Sequence, residues 1–379
     1  MSSQATLDIL KYAKLNKIDV IDRIVKGGHE LTIDTALELL EHRDNSISIN
    51  HNIWMHCVLN SACNAKMTSV VSEILKHSQP SLLWYACYCN AHALIKEIFE
   101  YFNCIKYSDR IAYISYYWYD RDLASVLMIA CRNKLNDVVI KILQYDTSTI
   151  YHVNKAGETA LIIACKNKLN DIAFELLKYL TKCKIDQVNT SGDTALILAC
   201  KNAMTDVALE LLKYPSLCKI DQVNTSGDTA LILACINGMT DIALELLKYP
   251  SLCKIDQVNT SGDTALILAC INGMTDIALE LLRYPSLCKI DQVNKSGDTA
   301  LILACKNRLN SVALELLKHI ASCKIDQISN TGDIALVLAK KNNMPEVVDI
   351  LRRNMDSVTA LNLIQWCSTS NKAGINKYD

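Results

Sequence analysis

Thr225–Cys235 reads "TSGDTALILAC", and the reading of these eleven residues decides the fold. The same stretch recurs without change at Thr190–Cys200 and Thr260–Cys270, with a near copy at Lys295–Cys305, each 35 residues from the last. A Gly, a Thr, an Asp and a Cys together look like parts of a site. A site needs one copy, however, and a fixed interval is the mark of a structural repeat. Five full units begin at Val153, Val188, Val223, Val258 and Val293, and a sixth, altered unit begins at Ile328.

The unit Val223–Gln257 shows what each copy builds. Thr225-Ser226-Gly227-Asp228 is a turn signal, with Gly supplying a backbone conformation that other residues resist. Thr229–Cys235 is a short apolar run of helix formers, and Asp228 or Thr229 suits its N-cap. Asn237–Asp241 breaks that run. Ile242–Leu247 predicts a second helix, with Thr240 placed as N-cap and Asp241 favourable in its first turn. Pro250 drives Tyr249 out of helical geometry and stops it. Helices this short are marginal alone. One pair cannot cover its own apolar faces, so successive pairs must stack, which makes an all-α solenoid with hairpin-like turn tips.

This unit resembles the ankyrin repeat. The matching residues are Gly227, Thr229, Leu231, Ala234 and Cys235, then Asn237-Gly238 between the helices and Ile242, Leu246 and Leu247 in the second helix. Asp256 and Asn259 fit the polar positions leading to the next tip. Ala230 stands where the family usually has Pro, and Ile232 where it has His, so packing must replace that side chain's polar bonds. The two residues beyond the usual 33 fall after the second helix. The near-identical units, the Lys/Ile/Asn-rich wording and the Ile in place of His resemble ankyrin proteins of giant amoeba-infecting DNA viruses, which implies host proteins as partners and a host-cell location.

The ends are less regular. Residues 1–118 read as degenerate ankyrin-like helix pairs, or as a separate helical domain holding Trp54, Trp84 and Trp118. Residues 119–152 form a degenerate repeat with Leu123 where Gly is expected. Residues 153–327 are the five regular repeats and 328–353 a capping repeat, with Pro345 suited to a first helical turn. Residues 354–379 read as a final short helix and a disordered tail.

Bulk properties narrow the function. The 379 residues carry 39 Lys and Arg against 40 Asp and Glu, a net charge of −1 that favours neither nucleic acid nor an anionic membrane surface. No apolar run approaches the roughly 18 residues that span a bilayer, and "MSSQATLDILKYAK" lacks the pattern of a secretory signal. An intracellular, cytoplasmic monomer is the expectation. Ten of the 17 Cys sit at two repeat positions, Cys165, Cys200, Cys235, Cys270, Cys305 and Cys183, Cys218, Cys253, Cys288, Cys323, which reads as small buried side chains. Cys87, Cys89, His92 and Cys104, and also His51, His56, Cys57 and Cys63, lie close in sequence but lack matched zinc-ligand spacings, so no metal or cofactor is expected. No nucleophile, base and orienting group converge, and the Gly is not part of a phosphate loop, so catalysis is not expected.

Binding remains. The resemblance implies use of the tips and of the exposed side of the first helix. The tip residues are Thr190, Ser191 and Asp193, then Thr225, Ser226 and Asp228, then Thr260, Ser261 and Asp263. Below them come Lys201, Ile236 with Asn237, Ile271 with Asn272, and Lys306 with Arg308. Gly157, Gly192, Gly227, Gly262, Gly297 and Gly332 are structural turn residues. The first variable position reads Lys166, Lys201, Ile236, Ile271, Lys306 and the second Lys168, Ala203, Gly238, Gly273, Arg308. An apolar centre with basic ends predicts a protein or peptide partner with an apolar centre and acidic flanks. The competing readings are duplication without a selected ligand, an adaptor recruiting machinery such as a ubiquitin ligase through residues 1–118, and an enzyme in the irregular N-terminal part.

Overall fold

The computed structural model describes residues 82–88, 90–102 and 124–355. Expectations for residues 1–81, 89, 103–123 and 356–379, including Trp54, Trp118, Leu123, Cys89, Cys104, the cluster of His51, His56, Cys57 and Cys63, and the C-terminal tail, lie outside the described residues. Two compact units divide the chain, Met1–Lys184 and Ile185–Asp379.

Sixteen α-helices and no strand occur among the described residues. The first unit contains α1 (Leu82–Tyr88), α2 (His92–Phe102), α3 (Val126–Arg132), α4 (Asn136–Tyr145), α5 (Ala160–Lys166) and α6 (Asn170–Leu177). Here α1, α3 and α5 pack in series, and each packs on its own second helix, α2, α4 and α6. Trp84 of α1 is buried and donates from Nε1 to the Ala124 carbonyl, 2.8 Å away.

The second unit repeats one motif five times. Its inner row is α7 (Ala195–Lys201), α9 (Ala230–Ile236), α11 (Ala265–Ile271), α13 (Ala300–Lys306) and α15 (Ala335–Lys341). Its outer row is α8 (Thr205–Leu212), α10 (Thr240–Leu247), α12 (Thr275–Leu282), α14 (Asn310–Leu317) and α16 (Pro345–Asn354). Inner helices pack on inner, outer on outer, and each pair on itself.

The reason lies in the side chains. Six of the seven residues of α9, Ala230–Cys235, are buried, so this helix is apolar all round and survives only between neighbours. In α10 only Ile242, Ala243, Leu246 and Leu247 are buried, the spacing of a one-sided surface helix. Glu245 and Lys248 pair on its exposed side at 2.6 Å.

Thr229 caps α9, with Oγ1 accepting from the Ile232 N–H at 3.2 Å. The helix ends in a Schellman turn: Met239 N–H donates to the Ala234 carbonyl at 2.8 Å, and Gly238 between them has φ +63°. The second variable position is therefore the left-handed residue of this turn. Lys168, Ala203 and Arg308 hold φ between 54° and 60° there without being Gly. The outer helix starts differently from the sequence expectation. Thr240 is its first helical residue and Met239 its N-cap, with no side-chain cap bond, because Met239 is already held by the Schellman turn and is buried as an apolar plug.

Both cysteine rows are buried, with Cys323 half-buried as the exception. Desolvation pushes the Cys235 thiol up to about 12 and the Cys253 thiol up to about 11. Among the described residues no group of His, Cys, Asp or Glu is arranged to hold a metal ion, and no helix is long and apolar enough to cross a membrane.

Candidate functional site

Each tip is a closed loop before it is a surface. In the repeat of α9, Gly227 N–H donates to the Asn224 carbonyl and Asn224 N–H to the Asp228 carbonyl, at 2.9 and 3.0 Å. Asn224 Oδ1 accepts from Ser226 and Asp228 N–H groups, at 2.9 and 3.0 Å. Gly227 sits at φ +77°, where L side chains are strained. A Cβ there would also stand 2.9 Å from the Asn259 Cα of the next repeat.

Tips are tied in series. Thr225 N–H donates to the Ser191 carbonyl, Thr260 to Ser226, Lys295 to Ser261 and Asn330 to Ser296, all at 2.9 Å. A second row of bonds runs beneath them. Asn224 Nδ2 donates to Asp193 Oδ1 at 2.9 Å, Asn259 to Asp228 at 3.1 Å and Asn294 to Asp263 at 2.8 Å. This row corrects the expectation that the tip Asp faces outward. Asp193 is 5% exposed, and Asp228 and Asp263 are half-buried, because each is used to clasp the following repeat.

The asparagines after the inner helices form a third row. Asn237 Nδ2 donates to the Cys200 carbonyl at 2.9 Å, Asn272 to Cys235 at 2.8 Å, Asn307 to Cys270 at 2.9 Å and Asn342 to Cys305 at 2.8 Å. Each adds a bond to a carbonyl at the end of the preceding inner helix, where the helix itself leaves acceptor capacity spare. In the first unit Asn133 and Asn167 do the same toward Cys87 and Cys131. Asn237 and Asn272, expected as contact residues, thus already serve the stack. The recurrence of the Asn after every inner helix, and of the tip Asn and Asp in most copies, was the available signal for both rows, but the partners lie 31 and 37 residues away.

What remains on the surface is specific. Thr190, Ser191, Thr225, Ser226, Thr260 and Ser261 are exposed side chains at the tips. Ile236 and Ile271 are each 40% exposed at the ends of α9 and α11, although large and apolar. The basic ends interact with the stack to different degrees. Lys306 pairs with Asp333 at 3.1 Å, the charge of Lys201 acts on Asp228, and Arg308 Nε donates to Asn342 at 3.2 Å. In the first unit Lys166 pairs with Glu158 at 2.7 Å. A cavity of about 550 Å³ opens beside α11 and α13, lined by Ser261, Asp263, Ile271, Asp298, Leu303 and Lys306 among others. Another exposed apolar row, Leu217, Leu252 and Leu287, stands on the loops after the outer helices.

The family model described as "Ankyrin repeats (3 copies)" matches residues 127–222 and again 216–287. No curated protein matches the chain. Among solved structures, a chain from the complex of a predatory endopeptidase of Bdellovibrio bacteriovorus with an immunity protein is similar. It is 28% identical, with a TM-score of 0.40, over 51% of this chain and 96% of that chain.

Proposed function

Residues 127–287 are ankyrin repeats, and from that premise we propose that the chain is a non-catalytic protein-interaction scaffold. It takes a protein or peptide segment on the surface formed by the tips and the inner-helix ends. The observation that carries this is the pair Ile236 and Ile271, exposed side by side in the series where the other repeats hold lysine. An exposed large apolar pair rimmed by polar tips is the composition of a contact surface. Thr225, Ser226, Thr260 and Ser261 supply hydroxyl groups along its edge, and Lys201, Lys306 and Arg308 bound it.

Site-specific photo-crosslinking tests the reading. A benzophenone amino acid at Ile236 or Ile271 of the full chain is expected to capture protein adducts in the expressing cell. The same group at Leu244 of the outer helix or at Leu252 of the outer loop is not. Adducts confined to Leu244 or Leu252 would place the contact on the opposite side of the repeats and end this reading.

A further inference from the structure

The groove beside α11 and α13 contains a carboxylate that lacks both of the partners on which its counterparts in other repeats draw for one or both of their bonds. The first partner is the asparagine 31 residues on. Asp193, Asp228 and Asp263 each have it, in Asn224, Asn259 and Asn294. For Asp298 that place is Ser329, whose Oγ instead accepts from the backbone of Asp333 at 3.0 Å. The buried Oδ1 of Asp298 is left without a hydrogen-bond partner.

The second partner is the lysine 27 residues earlier. Lys201 acts on Asp228, and Lys306 binds Asp333. The equivalent residue for Asp298 is Ile271, and for Asp263 it is Ile236. The charge of Lys306 does reach Asp298, but its ammonium is placed on Asp333, and burial still outweighs it: the Asp298 carboxyl is raised above the usual range, by desolvation first. Lys295 stands exposed on the tip at the rim.

Resting on the reading of this face as a protein-binding surface, we infer that the groove takes a basic side chain, arginine or lysine, carried next to an apolar residue of the bound segment. The cation supplies a donor to the open Oδ1 and a countercharge where Ile271 stands in place of lysine, and the apolar neighbour covers Ile271. An unsatisfied buried acceptor is costly, and a charge-assisted bond to it is among the strong ones. Arginine fits best, since its planar fork of donors is suited to a carboxylate and is weakly hydrated.

The test uses the full chain immobilised at physiological salt and panned with a random linear peptide library, followed by fluorescence anisotropy of the enriched peptides. Arginine or lysine beside Leu, Ile, Val or Phe is expected in the enriched sequences. Ile271→Lys rebuilds the internal ion pair and Asp298→Asn removes the charge; each is expected to weaken binding by roughly tenfold or more. Ile271→Lys has a built-in folding control, since Lys201 and Lys306 hold that position in intact repeats, and an unchanged melting temperature confirms it.

Enrichment of acidic or purely apolar peptides that are lost in Ile236→Glu/Ile271→Glu overturns this inference while leaving the binding surface standing. Basic peptides that bind Ile271→Lys as well as the parent overturn it too. No enriched peptide, together with no crosslinked adduct at Ile236, removes both.

Discussion

Gly227 shows how much one residue carries. Its φ of +77° was legible from its place in "TSGD", but the neighbouring backbone pressed against it was not. Gly238 makes a clean comparison, with φ +63° and nothing within 4 Å of a built Cβ. Gly238→Ala meets only the left-handed penalty, about 1 kcal/mol, which Ala203 already tolerates. Gly227→Ala meets that penalty and a collision with Asn259, so a loss above about 2 kcal/mol is expected from denaturant unfolding. Equal losses at both positions would show that the tips are not packed as described. The same contrast explains the second variable position. It looked like surface variation in the sequence and is the left-handed corner of a Schellman turn, where Gly is the least strained choice.

At the scale of the element, the inner helix is seven residues of nearly pure core. Its apolar run, its Thr cap and its small Ala-Cys end were all readable, because each depends on residues within one turn of each other. The start of the outer helix was not. Thr240 has the right chemistry for an N-cap, but Met239 is fixed one residue earlier by its bond to Ala234, and tertiary packing outranks capping preference there. The two cysteine rows give a measurable consequence. With thiols pushed up to about 12 in Cys235 and Cys305 and about 11 in Cys218 and Cys253, the thiolate fraction at pH 8 is on the order of one in a thousand or less. Native labelling read by peptide mass spectrometry should find the inner row unmodified until the protein unfolds. Half-buried Cys323 should react before the others of its row. Rapid modification of Cys235 in native protein would contradict a core position.

At the scale of the molecule, stacked repeats draw their stability from neighbour contacts, so a contiguous block with its own terminal repeat should stand alone. Ile185–Asp379 is one of the two compact units and includes α15 and α16, whose exposed Lys340, Lys341, Arg352 and Arg353 suit an end that faces water. A fragment of residues 185–379 is expected to be helical by circular dichroism and to melt cooperatively. A fragment without cooperative unfolding would mean that residues 1–184 are needed to form the stack.

The 35-residue period by itself determined the helix pairs, the turns and the need to stack, because those follow from spacings inside one unit. The unit's sequence also showed which residues are core, since an apolar run bounded by Gly and Asn has few other uses. Only the tertiary structure decided which polar residues the stack consumes and which it leaves over. Asp193, Asn237 and Lys306 look available in the sequence, yet their partners lie a whole repeat away and are met only once the units pack. Asp298 became distinct for the same reason: its missing asparagine and missing lysine are substitutions in other repeats, brought to one carboxylate by the fold.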